Sequence, residues 1–171
     1  MRILSYIHNY DVVAFEWFLR RHRRELFVKF SRWISRSADG PLYVVSGLCL
    51  LLSKNWPMAT LFALGFTIER CLYFLFKTLF KRNRPPAAIP GFSSVIEPSD
   101  KFSFPSGHTS GAFFMATAMA LVFPSLTLCF YIWAALVGLA RVTLGVHFPT
   151  DTLAGAVMGS TICSTLAWQI L

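Results

Sequence analysis

At 171 residues the chain has the length of one domain, but 55% of it is hydrophobic and only 14% charged, which excludes an ordinary soluble domain. Its 16 Lys and Arg outnumber 8 Asp and Glu for a net charge of +8. Much of the excess sits at Arg20, Arg21, Arg23, Arg24, Lys29, Arg32 and Arg36, just before the first long apolar run, where it fits a bilayer with anionic headgroups and disfavours nucleic acid as a partner.

Residues 1–38 interleave that charge with Phe15, Trp17, Phe18, Phe27, Phe30 and Trp33 at roughly helical spacing, which predicts a basic amphipathic helix lying in the membrane interface. The opening apolar run is short and broken by His8, Asn9 and Asp11, unlike a cleavable signal. Five apolar segments follow, each compared with the ~20 residues that cross a bilayer as helix. The first, 39–54, is short. The second runs from Trp56 to about Arg84, the third from Ser106 to Phe123 before Pro124, the fourth from about Ser125 to Leu144, and the fifth from Pro149 onward. The expected fold is an all-α integral membrane protein: a bundle of five transmembrane helices, six if residues 1–38 add a crossing, with residues 39–171 as the core. Cys49, Cys71, Cys129 and Cys163 lack paired spacing and read as small buried side chains. Gly107, Gly111, Ala112 and Ala116, with Ala154, Gly155, Gly159 and Ser160, suit close helix packing in lipid.

Three polar clusters interrupt the apolar sequence, each at a segment end. If the second span ends on one side of the membrane, the third begins there, the fourth ends there and the fifth begins there, so the clusters share a side. In the first, Lys77 and Arg84 are seven residues apart; on one continuous helix they would share a face about 10.5 Å apart along the axis. Together they suit an anion, whereas Lys81 and Arg82 suit snorkelling to headgroups. In the second, Pro105-Ser106-Gly107-His108 opens a helix, whose free N–H groups and dipole favour an anion. Ser106 suits a cap or a phosphate contact, Gly107 permits close approach, and His108 in the first turn suits proton donation; a cap with an incidental histidine is the alternative. In the third, His147 precedes Pro149 and Asp151, so the carboxylate can orient the imidazole for attack on phosphorus, with Arg141 clamping oxygens. The alternatives are a structural His/Asp bond or a metal held by His108, His147 and Asp151; metal ranks last, because the nearby cations repel it.

In order and spacing, Lys77-x6-Arg84-Pro85, Pro105-Ser106-Gly107-His108 and Arg141-x5-His147-x3-Asp151 resemble the tripartite signature of the type 2 phosphatidic acid phosphatase family, which is related to vanadium haloperoxidases and glucose-6-phosphatase. Ala140 stands where that pattern often has serine, which touches only an accessory hydroxyl. The resemblance implies a metal-independent, cofactor-free lipid phosphatase. His147 would be the nucleophile forming a phosphohistidine, Asp151 its orienting partner and His108 the general acid. Lys77, Arg84, Ser106, Gly107 and Arg141 would bind the phosphoryl group. Glu69 and Arg70, deep in the second span, read as an ion pair or support below the site.

Undecaprenyl diphosphate, phosphatidylglycerophosphate and phosphatidate are the candidate substrates, with headgroup selection falling to the 86–104 loop. A lipid-to-lipid phosphotransferase uses the same site. A non-catalytic anionic-lipid binder and a haloperoxidase rank lower. The resemblance implies a bacterial inner (cytoplasmic) membrane. With five spans the positive-inside rule puts the site at the cytoplasm, whereas many bacterial relatives face the periplasm; both stay open, as does the oligomeric state.

Overall fold

The structure is a computed structural model that describes residues 2–22 and 25–171, with side chains described from residue 9 and not at 21–24. Of the basic cluster, Arg23 and Arg24 therefore lie outside the described residues, as do the side chains of Arg21 and, earlier in the chain, His8. The helices are α1 (Arg2–His22), α2 (Glu25–Ser37), α3 (Gly40–Leu52), α4 (Trp56–Phe80), α5 (Pro85–Ala88), α6 (Gly107–Val122), α7 (Thr127–Thr143) and α8 (Pro149–Ile170), with a 3₁₀ turn at Pro124–Leu126. Among the described residues there is no strand, only an isolated bridge between Asn83 and Phe102.

The five apolar segments fold as α3, α4, α6, α7 and α8. Three stretches have the length and composition to cross a membrane: Trp56–Phe80, Pro124–Thr143 and Pro149–Ile170. With 13 and 16 residues, α3 and α6 are shorter than the ~20 a crossing needs. What α6 lacks in length it makes up in centrality: Thr109 to Ala112 and Phe114 to Ala118 are all buried. Gly155 and Gly159 of α8 bring that helix against it. A Cβ on Gly155 would lie 2.5 Å from the Ser106 carbonyl oxygen, and one on Gly159 2.1 Å from that of Ser110. Only backbone fits there, the close approach by which helices associate in lipid. Leu61, Phe62, Phe114, Met158 and Ile162 close the core between α4, α6 and α8.

Within residues 1–38 the described stretches Arg2–His22 and Glu25–Ser37 are helical. α2 buries Ser31 and Ser35 and exposes Leu26, Phe27, Phe30 and Trp33, so its small polar face meets protein and its outer face is apolar. α1 packs Phe15 and Leu19 against Val142 and Phe148. The cysteine expectation is corrected: Cys49, Cys71 and Cys129 are exposed and only Cys163 is buried, because the outer faces of this bundle are themselves apolar. Leu128, Leu153, Val157 and Trp168 point outward for the same reason.

Candidate active site

The long second span ends sooner than its hydropathy suggests. Lys81 adopts a left-handed conformation (φ 46°) and α4 stops at Phe80; Arg84, extended ahead of Pro85, then opens α5. Lys77 and Arg84 are therefore not on one helical face, which corrects the continuous-helix expectation. They meet through an acid in the 89–106 connection instead. Asp100 Oδ1 accepts from Lys77 Nζ (2.7 Å) and from Arg84 Nη2 (2.9 Å), while Oδ2 accepts from the Tyr73 hydroxyl (2.6 Å). Lys77 also donates to the Phe102 carbonyl. Burial alone would raise the Asp100 carboxyl, but these donors and the positive charge of Arg84 outweigh it and hold the group well below the usual carboxylate range.

At the start of α6, Ser106 makes no side-chain cap; its hydroxyl pairs with that of Thr109 (2.9 Å), and its N–H donates to the Asp151 carbonyl (3.0 Å). Gly107 is required by packing, since a Cβ would meet the Tyr73 ring at 2.6 Å. His108 Nε2 lies 2.9 Å from Asp39 Oδ1, a carboxylate at the α2–α3 junction. This pair stands between two cavities. One, of 270 Å³, has Arg32, Arg36 and Arg141 in its wall; the other, of 280 Å³, holds Tyr43, Phe66, Arg70 and Tyr73.

Arg141 falls in the last turn of α7, where Gly145 at φ 79° lets the chain reverse. Its Nη1 donates to Ser35 of α2 (2.8 Å), while its Nε is buried with no partner among the described residues. His147 then lies buried ahead of α8. Arg84 Nη1 stands 3.3 Å from its Nε2 and donates to the Val146 carbonyl (2.7 Å). A guanidinium carries only donors, so it faces the Nε2 lone pair and leaves the ring proton on Nδ1. Burial above all, with Arg84 adding and Asp151 opposing, pushes His147 down to about 3, so the imidazole is neutral at ordinary pH.

Asp151 Oδ2 lies 3.7 Å from His147 Nδ1, beyond hydrogen-bond range. Its nearer partners are the Phe148 N–H (2.8 Å) and Arg82 Nη1 (2.7 Å). Arg82 thus does not snorkel outward, a correction with a plain cause: a fully buried carboxylate draws in the nearest cation. Glu69 and Arg70 form the expected ion pair, Nε to Oε2 at 2.5 Å, with Glu69 buried and Arg70 reaching the second cavity.

The structure thus gathers Lys77, Arg84, His147 and Asp151 at one point, with Ser106 bonded to the same turn and His108 and Arg141 on a shared cavity wall. Sequence reasoning missed Asp39, Asp100, Arg82 and Tyr73. Among the described residues no three of His, Cys, Asp and Glu are grouped to hold a metal ion.

The family model described as the PAP2 superfamily matches residues 43–171. The chain is 30% identical over 107 residues to the bacitracin transport permease protein BcrC of Bacillus licheniformis, a match covering 63% of this chain and 53% of that protein. It thus spans about half the length of that curated relative. In structure it is similar to LpxE of Aquifex aeolicus (TM-score 0.82, 25% identity, 92% of this chain and 94% of that one). It is also similar to the transmembrane PAP2-type phosphatidylglycerolphosphate phosphatase of Bacillus subtilis (TM-score 0.80, 26% identity, 95% and 85%).

Proposed function

The chain belongs to the PAP2 superfamily, and on that premise we propose that this integral membrane protein hydrolyses a lipid phosphomonoester or diphosphate through a phosphohistidine. The observation that carries the reading is the buried His147, with Nε2 against the Arg84 guanidinium and Nδ1 toward Asp151. A phosphoryl group arriving at Nε2 brings its oxygens to Arg84, Lys77 and the unpartnered Nε of Arg141. Ser106 and Gly107 line the same approach at the start of α6, where the helix dipole favours the anion.

In the first step the Nε2 lone pair forms the N–P bond as the P–O bond to the lipid breaks, and His108 gives its proton to the leaving oxygen. In the second, water attacks phosphorus, His108 takes the water proton, and the N–P bond breaks to release phosphate and neutral His147. Asp151 stabilises the ring proton on Nδ1 while charge builds. Glu69 and Arg70 support the start of α6, Arg70 Nη2 standing 3.5 Å from the Gly107 carbonyl.

Residues 39–171 would be the catalytic core, with 1–38 a basic interfacial segment on a bacterial inner membrane. Undecaprenyl diphosphate, phosphatidylglycerophosphate and phosphatidate remain the substrate classes. The second cavity beside His108, with its aromatic wall, suits the lipid-proximal part of such molecules. A purified-protein phosphate-release panel across the three lipids, run with excess chelator, tests the reading. Release persists in chelator and vanishes in His147→Ala; undiminished turnover in that variant sinks the nucleophile. Transfer of labelled phosphate to an added lipid would favour the phosphotransferase instead, and reporter fusions in the 86–104 loop distinguish the cytoplasmic from the periplasmic face.

A further inference from the structure

The start of α8 cannot satisfy itself. Its N-cap position is Phe148, whose side chain accepts nothing; Asp151 reaches back to the Phe148 N–H, the Asp151 and Thr152 N–H groups donate to the Phe148 carbonyl, and Pro149 has no N–H, which leaves the N–H of Thr150 without a partner in its own helix. That group finds one 139 residues away: the Thr150 N–H donates to Asp11 Oδ1 of α1 at 3.1 Å, and the Thr150 hydroxyl donates to Asp11 Oδ2. An acid on one helix thus caps another, placing negative charge where the dipole of α8 favours it.

The same acid holds a cation. Arg82 Nη2 lies 2.5 Å from Asp11 Oδ2, while its Nη1 donates to the Thr150 hydroxyl and to Asp151 Oδ1, each at 2.7 Å. Its guanidinium also stacks on the Phe148 ring, 4.6 Å from the centroid. Both carboxylates are almost wholly buried, at 3% and 0% exposure, so one planar fork bridges two acids that would otherwise repel each other. The anchoring is apolar as well as ionic: Phe15, one turn beyond Asp11, packs edge-on against Phe148 at 5.5 Å.

We infer that Asp11 and Arg82 are positioning residues for His147: α1 completes the active site by holding Asp151 and the first turn of α8 in register behind the nucleophile. Asp11 lies outside the stretch that the family model matches, residues 43–171. The role therefore belongs to the N-terminal segment and gives it a part beyond interfacial anchoring. Arg82, unlike Lys77 and Arg84, acts through Asp151 and touches no phosphoryl oxygen.

This role deepens the phosphatase reading and depends on it for its kinetic arm alone. In that arm, Asp11→Asn and Arg82→Gln each lower kcat by about 10- to 100-fold, as expected for small misplacement of a reacting group. KM and inhibition by inorganic phosphate stay within about threefold, because the phosphoryl ligands are untouched. Arg82→Lys, which keeps the charge but not the fork, falls between. The double variant is no worse than Arg82→Gln, since both act through one bridge. Glu16→Gln, exposed on the same helix, leaves kcat unchanged. In the second arm, ¹⁵N spectra of His147, assigned through His147→Asn, show a single Nδ1–H tautomer in the full chain and a mixture in Asp11→Asn. This reads the imidazole whether or not any lipid of the panel is hydrolysed. An Asp11→Asn protein with a lowered melting temperature but an unchanged His147 tautomer would make the contact merely structural and overturn the inference. So would effects of the two substitutions that multiply.

Discussion

Two histidine–carboxylate pairs stand at this site and are built in opposite ways. His147 and Asp151 are both buried, held 3.7 Å apart by the Arg82 fork and the Phe148 N–H. His108 and Asp39 hydrogen-bond directly at 2.9 Å, yet Asp39 is half exposed and the pair faces two cavities. The contrast matches what the proposed mechanism would ask of each imidazole. A nucleophile gains from being dry and fixed; an acid–base group must exchange a proton with a leaving group and then with water, which requires an open wall.

The largest effect that separates the pairs is loss of the nucleophile. His147→Ala lowers phosphate release at least ~10⁴-fold for every substrate, whatever its leaving group, measured as kcat on purified enzyme. His108→Ala lowers it by about 10²- to 10³-fold on a lipid phosphate but far less on p-nitrophenyl phosphate, whose leaving group needs no proton. Equal losses on both substrates would erase the distinction between the pairs.

Burial of His147 also has a consequence for stability. The folded-state value of His147 is pushed down to about 3 from 6.5, so the unfolded chain takes up the proton first. Its stability contribution is full above about pH 6.5 and is lost as the pH falls toward 3. Thermal melts between pH 7 and 5 should show the wild type losing about 2 kcal/mol more than His147→Asn, from the 1.4 kcal/mol that accompanies each pKa unit. The smallest effect is at Asp39. Asp39→Asn retains a hydrogen-bonding side chain at an open wall and costs about tenfold in kcat, confined to substrates with poor leaving groups.

Much of this arrangement was legible in the residues. Apolar segments with polar ends fixed the helix order, and Arg141, His147 and Asp151 lie so close in sequence that their meeting required only a turn at Gly145. The errors had local causes. Hydropathy cannot see that Lys81 turns left-handed, so it extends the helix to Arg84, and it shows nothing of the buried acid behind Arg82, so snorkelling is what it predicts there. Asp11, Asp39 and Asp100 carried no local pattern at all. Each finds its partner through tertiary packing, Asp39 across 69 residues and Asp11 across 71 and 139, and single acids at such separations have no periodicity to betray them.

The bond between Asp11 and Thr150 also has a history in time. During synthesis residue 11 leaves the ribosome 139 residues ahead of its partner, which at ~5–20 residues per second is roughly 7–28 s. Over that interval Lys77, Arg84 and His108 are already made, but the register of α8 is not yet set. On the proposed mechanism, catalysis would wait until α8 returns to α1, so a half-built chain would meet its lipid pool without yet acting on it.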